Sequence, residues 1–353
     1  MNIKKLANIG GISSITRYLN MLTSNNPFLP TTTTDILLSS SASPYINAWT
    51  WDGGVGVKYS NPSTLPSLFL YNYRWNPAKN AVLGADYTNK LSGYNWSSGF
   101  GTKYTNPTGA TGTPSSFSMT ADGSTVFLGT DTSPWIFAYP FSNSTGFGTK
   151  YANPSTLPAG SFYGPFGIDV KDNDTVFFAV GLTAPGIHAY AWSGGWGSKY
   201  ADPATTPGAS GAYDVSYNSS ASAVAYAQSS SYVYPWSSGF GTKYSDPASG
   251  TFYTNVLFHP SGQSITSDTS SYPMSWAWSA GFGTKHANPV IITGAAINRN
   301  TFSFSEDGKI FGLAFNNASP YYALYSYTPT NGFGFRYSVP AYSVSTTSSI
   351  AFK

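Results

Sequence analysis

Between residues 115 and 154, apolar side chains alternate with small polar ones in short runs separated by turn residues. Phe117 and Met119 alternate with serines, a second run covers 126–129, a third 135–141 and a fourth 146–151. A period of two puts every second side chain on one face, so each run predicts a strand rather than a helix. Asp122-Gly123, between the first two runs, predicts a two-residue hairpin. Asn153-Pro154 ends pairing, because proline has no N–H to give to a ladder. The segment reads as one antiparallel sheet of four strands.

The same slots recur along the chain. An aromatic pair two residues apart is followed by a small-residue turn and a strand close to GFGTKY, then Asn/Asp-Pro. The pairs are Trp49/Trp51, Tyr94/Trp96, Tyr139/Phe141, Tyr190/Trp192, Tyr234/Trp236, Trp276/Trp278 and Tyr325/Tyr327. The cation of the last strand falls at Lys58, Lys103, Lys150, Lys199, Lys243, Lys285 and Arg336, at intervals of 45, 47, 49, 44, 42 and 51 residues. That spacing suits four-stranded propeller blades. Turn chemistry persists where the letters change: 77–80 reads Pro-Ala-Lys-Asn, followed in later units by Asp172-Asn173, Ser261-Gly262 and Asp307-Gly308. Residues two apart share a face, so each sheet offers a bulky aromatic ridge to its neighbour.

The chain ends predict how the ring closes. Residues 348–353, SSIAFK, resemble the first strand of a unit such as SSFSMT, and the first unit, beginning near Asp35, lacks that strand. A blade completed by both termini removes the open seam that would leave strand edges exposed. The expected fold is all-β: a seven-bladed β-propeller over 35–353 with four-stranded blades, the first closed by the C-terminal strand, plus an N-terminal arm over 1–34. The pattern resembles the WD40-like and YVTN-like propeller families, with YxW-SSGFGTKY in place of the Trp-Asp ending of a WD40 blade. The GFGTKY repeats are also similar to those of predicted tailed-bacteriophage virion proteins, which implies a structural role in a particle.

Composition narrows the chemistry. Charged residues make up 9% and the formal charge is +3, so there is no basic field to gather nucleic acid. Without cysteine, disulfides, thiolate metal sites and cysteine nucleophiles are excluded. His188, His259 and His286 sit in separate repeat slots without metal-ligand spacing, and they read as packing or turn substitutes. No couple of carboxylates is evident for glycoside hydrolysis. Beyond the arm only Arg74, Arg299 and Arg336 could form an arginine cluster, and Arg336 belongs to the repeat. No G-x-S-x-G elbow has a histidine partner, and the GFGTKY glycines lack the order of a phosphate loop. The expectation is therefore no enzyme: no catalytic, cofactor or metal site. Alternation within GFGTKY puts the seven cations on the outward face, where they discourage edge pairing or form a basic ring for acidic glycans or a neighbouring subunit.

Residues 1–34 lie outside the repeat. Ile3, Leu6, Ile9, Ile12, Ile15, Tyr18 and Leu22 recur at three- or four-residue steps and predict a short amphipathic helix, followed by Phe28. Gly10–Ser14, Arg17 and Asn20 interrupt the apolar run, so a cleaved signal peptide is not expected, and no run is long enough to span a bilayer. The functional expectation is a non-enzymatic virion structural protein of a tailed phage, a tail fibre, adaptor or head decoration. Its propeller is displayed on the particle, its arm docks on another virion protein, and a host-surface glycan or receptor is a further partner. The alternative is a carbohydrate-binding surface propeller, an adhesin for host recognition. Neither reading involves nucleic acid, membrane insertion or a cofactor.

Overall fold

Seven twisted antiparallel sheets stand around a common axis, each built from consecutive chain segments. The structure, a computed structural model, describes residues 34–353 apart from 69, 159–164, 181–183, 209–212, 229, 270, 291–295, 300, 316–318 and 340–346. The arm residues Ile3, Leu6, Ile9, Ile12, Ile15, Tyr18, Leu22 and Phe28 lie outside the described residues. Blade 1 holds β1 (Thr34–Ser40), β2 (Ile46–Trp51) and β3 (Val55–Lys58). Blade 2 holds β4 (Leu70–Trp75), β5 (Ala81–Asp86), β6 (Lys90–Trp96) and β7 (Phe100–Lys103), and blade 3 holds β8 (Pro114–Met119), β9 (Thr125–Thr130), β10 (Ile136–Ser142) and β11 (Gly146–Phe147). Blade 4 comprises β12 (Pro165–Lys171), β13 (Thr175–Val180), β14 (Ile187–Trp192) and β15 (Trp196–Lys199), and blade 5 comprises β16 (Asp214–Asn218), β17 (Ala223–Gln228) and β18 (Ser230–Pro235). Blade 6 contains β19 (Val256–Phe258), β20 (Ser264–Asp268), β21 (Pro273–Trp278) and β22 (Phe282–Lys285). Blade 7 contains β23 (Ser303–Phe304), β24 (Ile310–Ala314), β25 (Tyr322–Thr328) and β26 (Gly332–Arg336).

The ring closes as the termini predict. β27 (Thr347–Phe352) pairs antiparallel with β1, Ile36 opposite Phe352 and Leu38 opposite Ile350, and becomes the innermost strand of blade 1. Lys353 completes the clasp: its N–H donates to Asp35 O at 2.9 Å and its ammonium reaches Asp35 Oδ2 at 3.2 Å.

All seven aromatic pairs are buried. The residue that ends each GFGTKY strand supplies the wedge between blades. Its N–H bonds to a carbonyl of the third strand in every blade, Tyr104 to Gly93 O at 2.8 Å for example, and this turns its ring toward the next blade. At six of the seven seams it there meets the second aromatic of the neighbouring pair edge-on. Tyr59 meets Trp96 at 5.0 Å and 77°, Tyr151 meets Trp192 at 5.0 Å and 89°, and Tyr337 meets Trp51 at 4.8 Å and 79°, which carries the contact across the closure. Edge-to-face geometry sets the positive rim of one ring on the negative face of the other.

Three local expectations need correction. The Asp122-Gly123 turn is not a two-residue hairpin: Met119 pairs with Val126, and Thr120 N–H donates to Thr125 O at 3.1 Å, leaving four residues in the loop. Asp122 Oδ1 accepts from Ser124 N–H at 2.9 Å, and Gly123 takes the left-handed φ of 71° that closes a type I turn. The outer strands also vary in length. Blade 3 keeps only Gly146–Phe147, and in blade 5 the fourth strand shrinks to a bridge between Trp236 and Phe240. In these two blades the third strand carries Pro140 or Pro235 immediately before the second aromatic. The next N–H (Phe141, Trp236) points inward to the second strand, so the proline removes a donor that would face the outer strand.

The third correction concerns the cations. A bulge shifts the outer strand so that Lys58 pairs with Trp49, Lys103 with Tyr94, Lys199 with Tyr190, Lys285 with Trp276 and Arg336 with Tyr325. The lysines are half-buried rather than displayed, and only Arg336 is exposed. Lys243 Nζ sits 5.2 Å from the Tyr232 ring, and Lys150 Nζ sits 5.6 Å from the Phe137 ring and bonds Asn153 Oδ1 at 2.7 Å. Lys199 and Lys243 pair with Asp202 and Asp246, the acids of the following Asp-Pro.

Candidate active site

The innermost strand of each sheet is an edge strand with no ladder partner on its axial side. Its N–H groups must find other acceptors. Side chains of the preceding blade supply several. Ser349 Oγ accepts from Tyr73 N–H at 3.1 Å, Asp169 Oδ2 from Tyr217 N–H at 2.7 Å, Asp214 Oδ2 from Val256 N–H at 3.1 Å and Asn255 Oδ1 from Thr301 N–H at 2.8 Å. The strands that hold the ring together are thus also the strands that line its axis.

They enclose a cavity of about 380 Å³ with residues of all seven blades in its wall. One position recurs around it. Arg74, Ser118, Asp169, Ser216, Leu257, Ser303 and Ala351 occupy the same register on their strands, opposite Leu83, Phe127, Phe177, Ala225, Thr266, Gly312 and Leu37. Most blades put a small or neutral side chain there, whereas blade 2 puts a guanidinium and blade 4 a carboxylate. Two positions earlier on its strand, blade 5 adds Asp214. Arg74, Asp169 and Asp214 all line the cavity, Arg74 with an exposed side chain and a 3.5 Å contact from Nη1 to Ser118 Oγ. At one mouth the first hairpins of blades 2 and 7 bring Lys79 and Glu306 to 3.8 Å.

Electrostatics set this trio apart. Burial pushes Asp214 up to about 8, the nearby Asp169 carboxylate adding to the rise, while the N–H groups of Val256 and Val215 and the charge of Arg74 oppose it. Asp169 is raised as well, by burial first, against Arg74 and the N–H groups of Tyr217 and Val170. Both carboxyls lie deep in the ring yet keep part of their surface open to the cavity. Each oxygen has two lone pairs, so acceptance of one backbone N–H leaves capacity for a ligand or water. A carboxyl that titrates near neutrality beside a fixed cation is equipped for proton transfer.

Among the described residues, none of the sequence-predicted positions lies in the cavity wall. Lys58, Lys103, Lys150, Lys199, Lys243, Lys285 and Arg336 stand at the outer rims of the blades. His188 is buried in blade 4 with Nδ1 3.2 Å from Asp202 Oδ1, and His259 and His286 lie between blades 6 and 7. Among the described residues no three metal-binding side chains come together. Asp169 and Asp214 escaped notice because they are 45 residues apart on separate blades, and only the packing of blade 5 against blade 4 makes them neighbours. The usable signal was slot-wise: a charge at an inner-strand position where the other repeats carry Ser, Leu or Ala.

No protein-family model and no curated protein sequence matches the chain. Solved structures do. The periplasmic gluconolactonase PpgL of Pseudomonas aeruginosa aligns over 91% of this chain and 99% of its own at 13% identity with a TM-score of 0.69. A Bacteroides uniformis protein described as a candidate 6-phosphogluconolactonase aligns over 91% and 99% at 13% identity and 0.68. The β-propeller domain of Cps50 (Swd1) from Myceliophteria thermophila covers 77% of this chain and 87% of its own at 10% identity and 0.55. At these identities the likeness establishes the fold, a seven-bladed β-propeller with WD40-like structural neighbours. It also overturns the expectation of a non-enzymatic virion structural protein, and with it the reading of no enzyme. Structures sharing nine-tenths of the chain bear lactonase names, and nothing links the repeats to phage virions.

Proposed function

We propose that the chain is a hydrolase that opens a small cyclic ester, a sugar-type lactone, in the axial cavity. One observation carries the reading: Arg74 shares the axial cavity with two deep carboxyls, one of which, Asp214, titrates at about 8. The lactonase names of similar propellers support it. A cavity of about 380 Å³ suits a single sugar-sized ring.

In the proposed reaction the carboxylate of Asp214 takes a proton from water as the water oxygen bonds to the lactone carbonyl carbon. The carbonyl oxygen becomes an oxyanion, which Arg74 stabilises. The ring C–O bond then breaks, the carbonyl re-forms, and the leaving ring oxygen takes the proton back from Asp214. The product is the open hydroxy acid, and the enzyme is restored. A base of this pKa makes the rate climb with pH and level off above about 8. The test is ring opening of glucono-1,5-lactone and of its 6-phosphate, followed by acid release. The purified chain should exceed the buffer rate, and Asp214→Asn should lower it at least ~100-fold with an unchanged circular dichroism spectrum. A wild-type rate equal to buffer on both lactones, or full activity in Asp214→Asn, overturns the proposal.

A further inference from the structure

We propose that the contact between blades 6 and 7 is an acid-sensitive seam, loosened when His286 and His259 take up protons. At six of the seven seams the wedge is a tyrosine set edge-on against a Trp or Phe, or, at the closure, Tyr337 against Trp51. At this seam the wedge is His286 and the residue that receives it is Tyr327. A polar chain replaces the ring contact. Tyr327 Oη donates to Ser264 Oγ at 2.9 Å and meets Ser275 Oγ, which lies 3.0 Å from His286 Nδ1. With Tyr327 donating, Ser275 donates to Tyr327 and His286 Nδ1–H donates to Ser275. His286 Nε2 is then a bare acceptor, buried with no hydrogen-bond partner.

Protonation would put an N–H and a full charge on that nitrogen with no acceptor for either. The groups facing His286 are the hydroxyls of Ser275 and Tyr327 and the backbone of Gly332, where an added Cβ would come within 2.5 Å of the His286 Cβ, so the ring has little room to turn away. His259 presses on the other side of Tyr327, stacked at 5.6 Å and 23°. Its Nε2 contacts Gly308 O of blade 7 at 3.2 Å, and its Nδ1 accepts from Ser261 N–H at 3.1 Å. A proton on Nδ1 breaks the bond from Ser261 N–H and leaves Ser261 Oγ, 2.8 Å away, as the acceptor of the new N–H. Asp307 is the charged group that faces His259 and favours its cation, yet burial outweighs it.

Burial holds both histidines below the ordinary imidazole value of 6.5, so the neutral forms belong to the folded seam. Stability they contribute is complete above 6.5 and is lost as pH falls through their lower folded values. Phe258 and Phe304 of the two blades also line the axial cavity, so loosening here reaches that wall.

Hydrogen exchange of the full chain tests the inference. From about pH 7.5 to about pH 5, protection in β21 and β25, corrected for intrinsic exchange, should fall about tenfold or more, while β5 and β9 between blades 2 and 3 hold theirs. His286→Tyr, which restores the repeat residue, and His259→Gln should each reduce the fall. An even loss of protection across all seams, or an undiminished fall in both variants, overturns the proposal. Imidazole titration by NMR on the wild-type chain gives a second check, independent of how the variants fold: midpoints at or above 6.5 for both residues also overturn it.

Discussion

A single repeated tyrosine shows how a side chain is shared between two units. Tyr104 ends the last strand of blade 2 but packs edge-on against Phe141 of blade 3 at 5.4 Å, and Trp96 of blade 2 receives Tyr59 of blade 1. Trp96, 3% exposed, also touches Trp75 and Phe100. Its replacement by Ala should cost about 3–5 kcal/mol in urea unfolding, against less than about 0.5 kcal/mol for the exposed Thr102→Ala. Asp214 yields a prediction of opposite sense to most acidic residues. Its folded pKa is raised, so the stability it contributes is complete below 3.8 and is lost as pH climbs through about 8. Melting temperatures of wild type and Asp214→Asn should therefore diverge between those values, the wild type falling relative to the variant. Parallel curves would contradict the burial argument.

At the level of strands, the outer edge of each blade is tuned by one residue of the third strand. Thr50, Asn95, Ala191, Ala277 and Ser326 carry an N–H at a position where Pro140 and Pro235 do not, and the two proline blades have the shortest outer strands. Pro235→Thr restores the donor. Exchange of the amides at 240–244 should slow severalfold in that variant, with the other blades unaffected. Hairpins show the same economy: Asp122 and Asp307 each accept from the N–H two residues on, so the loop is held by its own acid and tolerates different letters around it.

For the molecule as a whole, closure is the decisive event. β27 places Ile350 and Phe352 in the core of blade 1 and supplies Ser349 as acceptor for Tyr73 N–H of blade 2. Deletion of 348–353 would bare the inner edge of β1 and open the axis at once. The melting temperature should drop by more than about 10 °C, with aggregation on heating; an unchanged transition would show that the clasp is dispensable. Lys353→Ala, which removes the ion pair with Asp35 and the contacts over Trp75 and Trp96, should lower it by a few degrees.

The repeat spacing, the aromatic pairs and the complementary termini were enough to specify seven antiparallel blades and their closure. Each is a local signal, a period of two, a turn or a proline, copied until noise averages out. Local periodicity could not foresee the bulge that draws the lysines over the aromatics, because one extra residue inverts every later side chain. Nor could it reveal the axial site. Arg74, Asp169 and Asp214 come from three blades, and the two carboxyls acquire their raised pKa values only where the ring excludes bulk water around them. The wheel was written in the order of residues, and the chemistry at its hub arises from the distances that closure imposes.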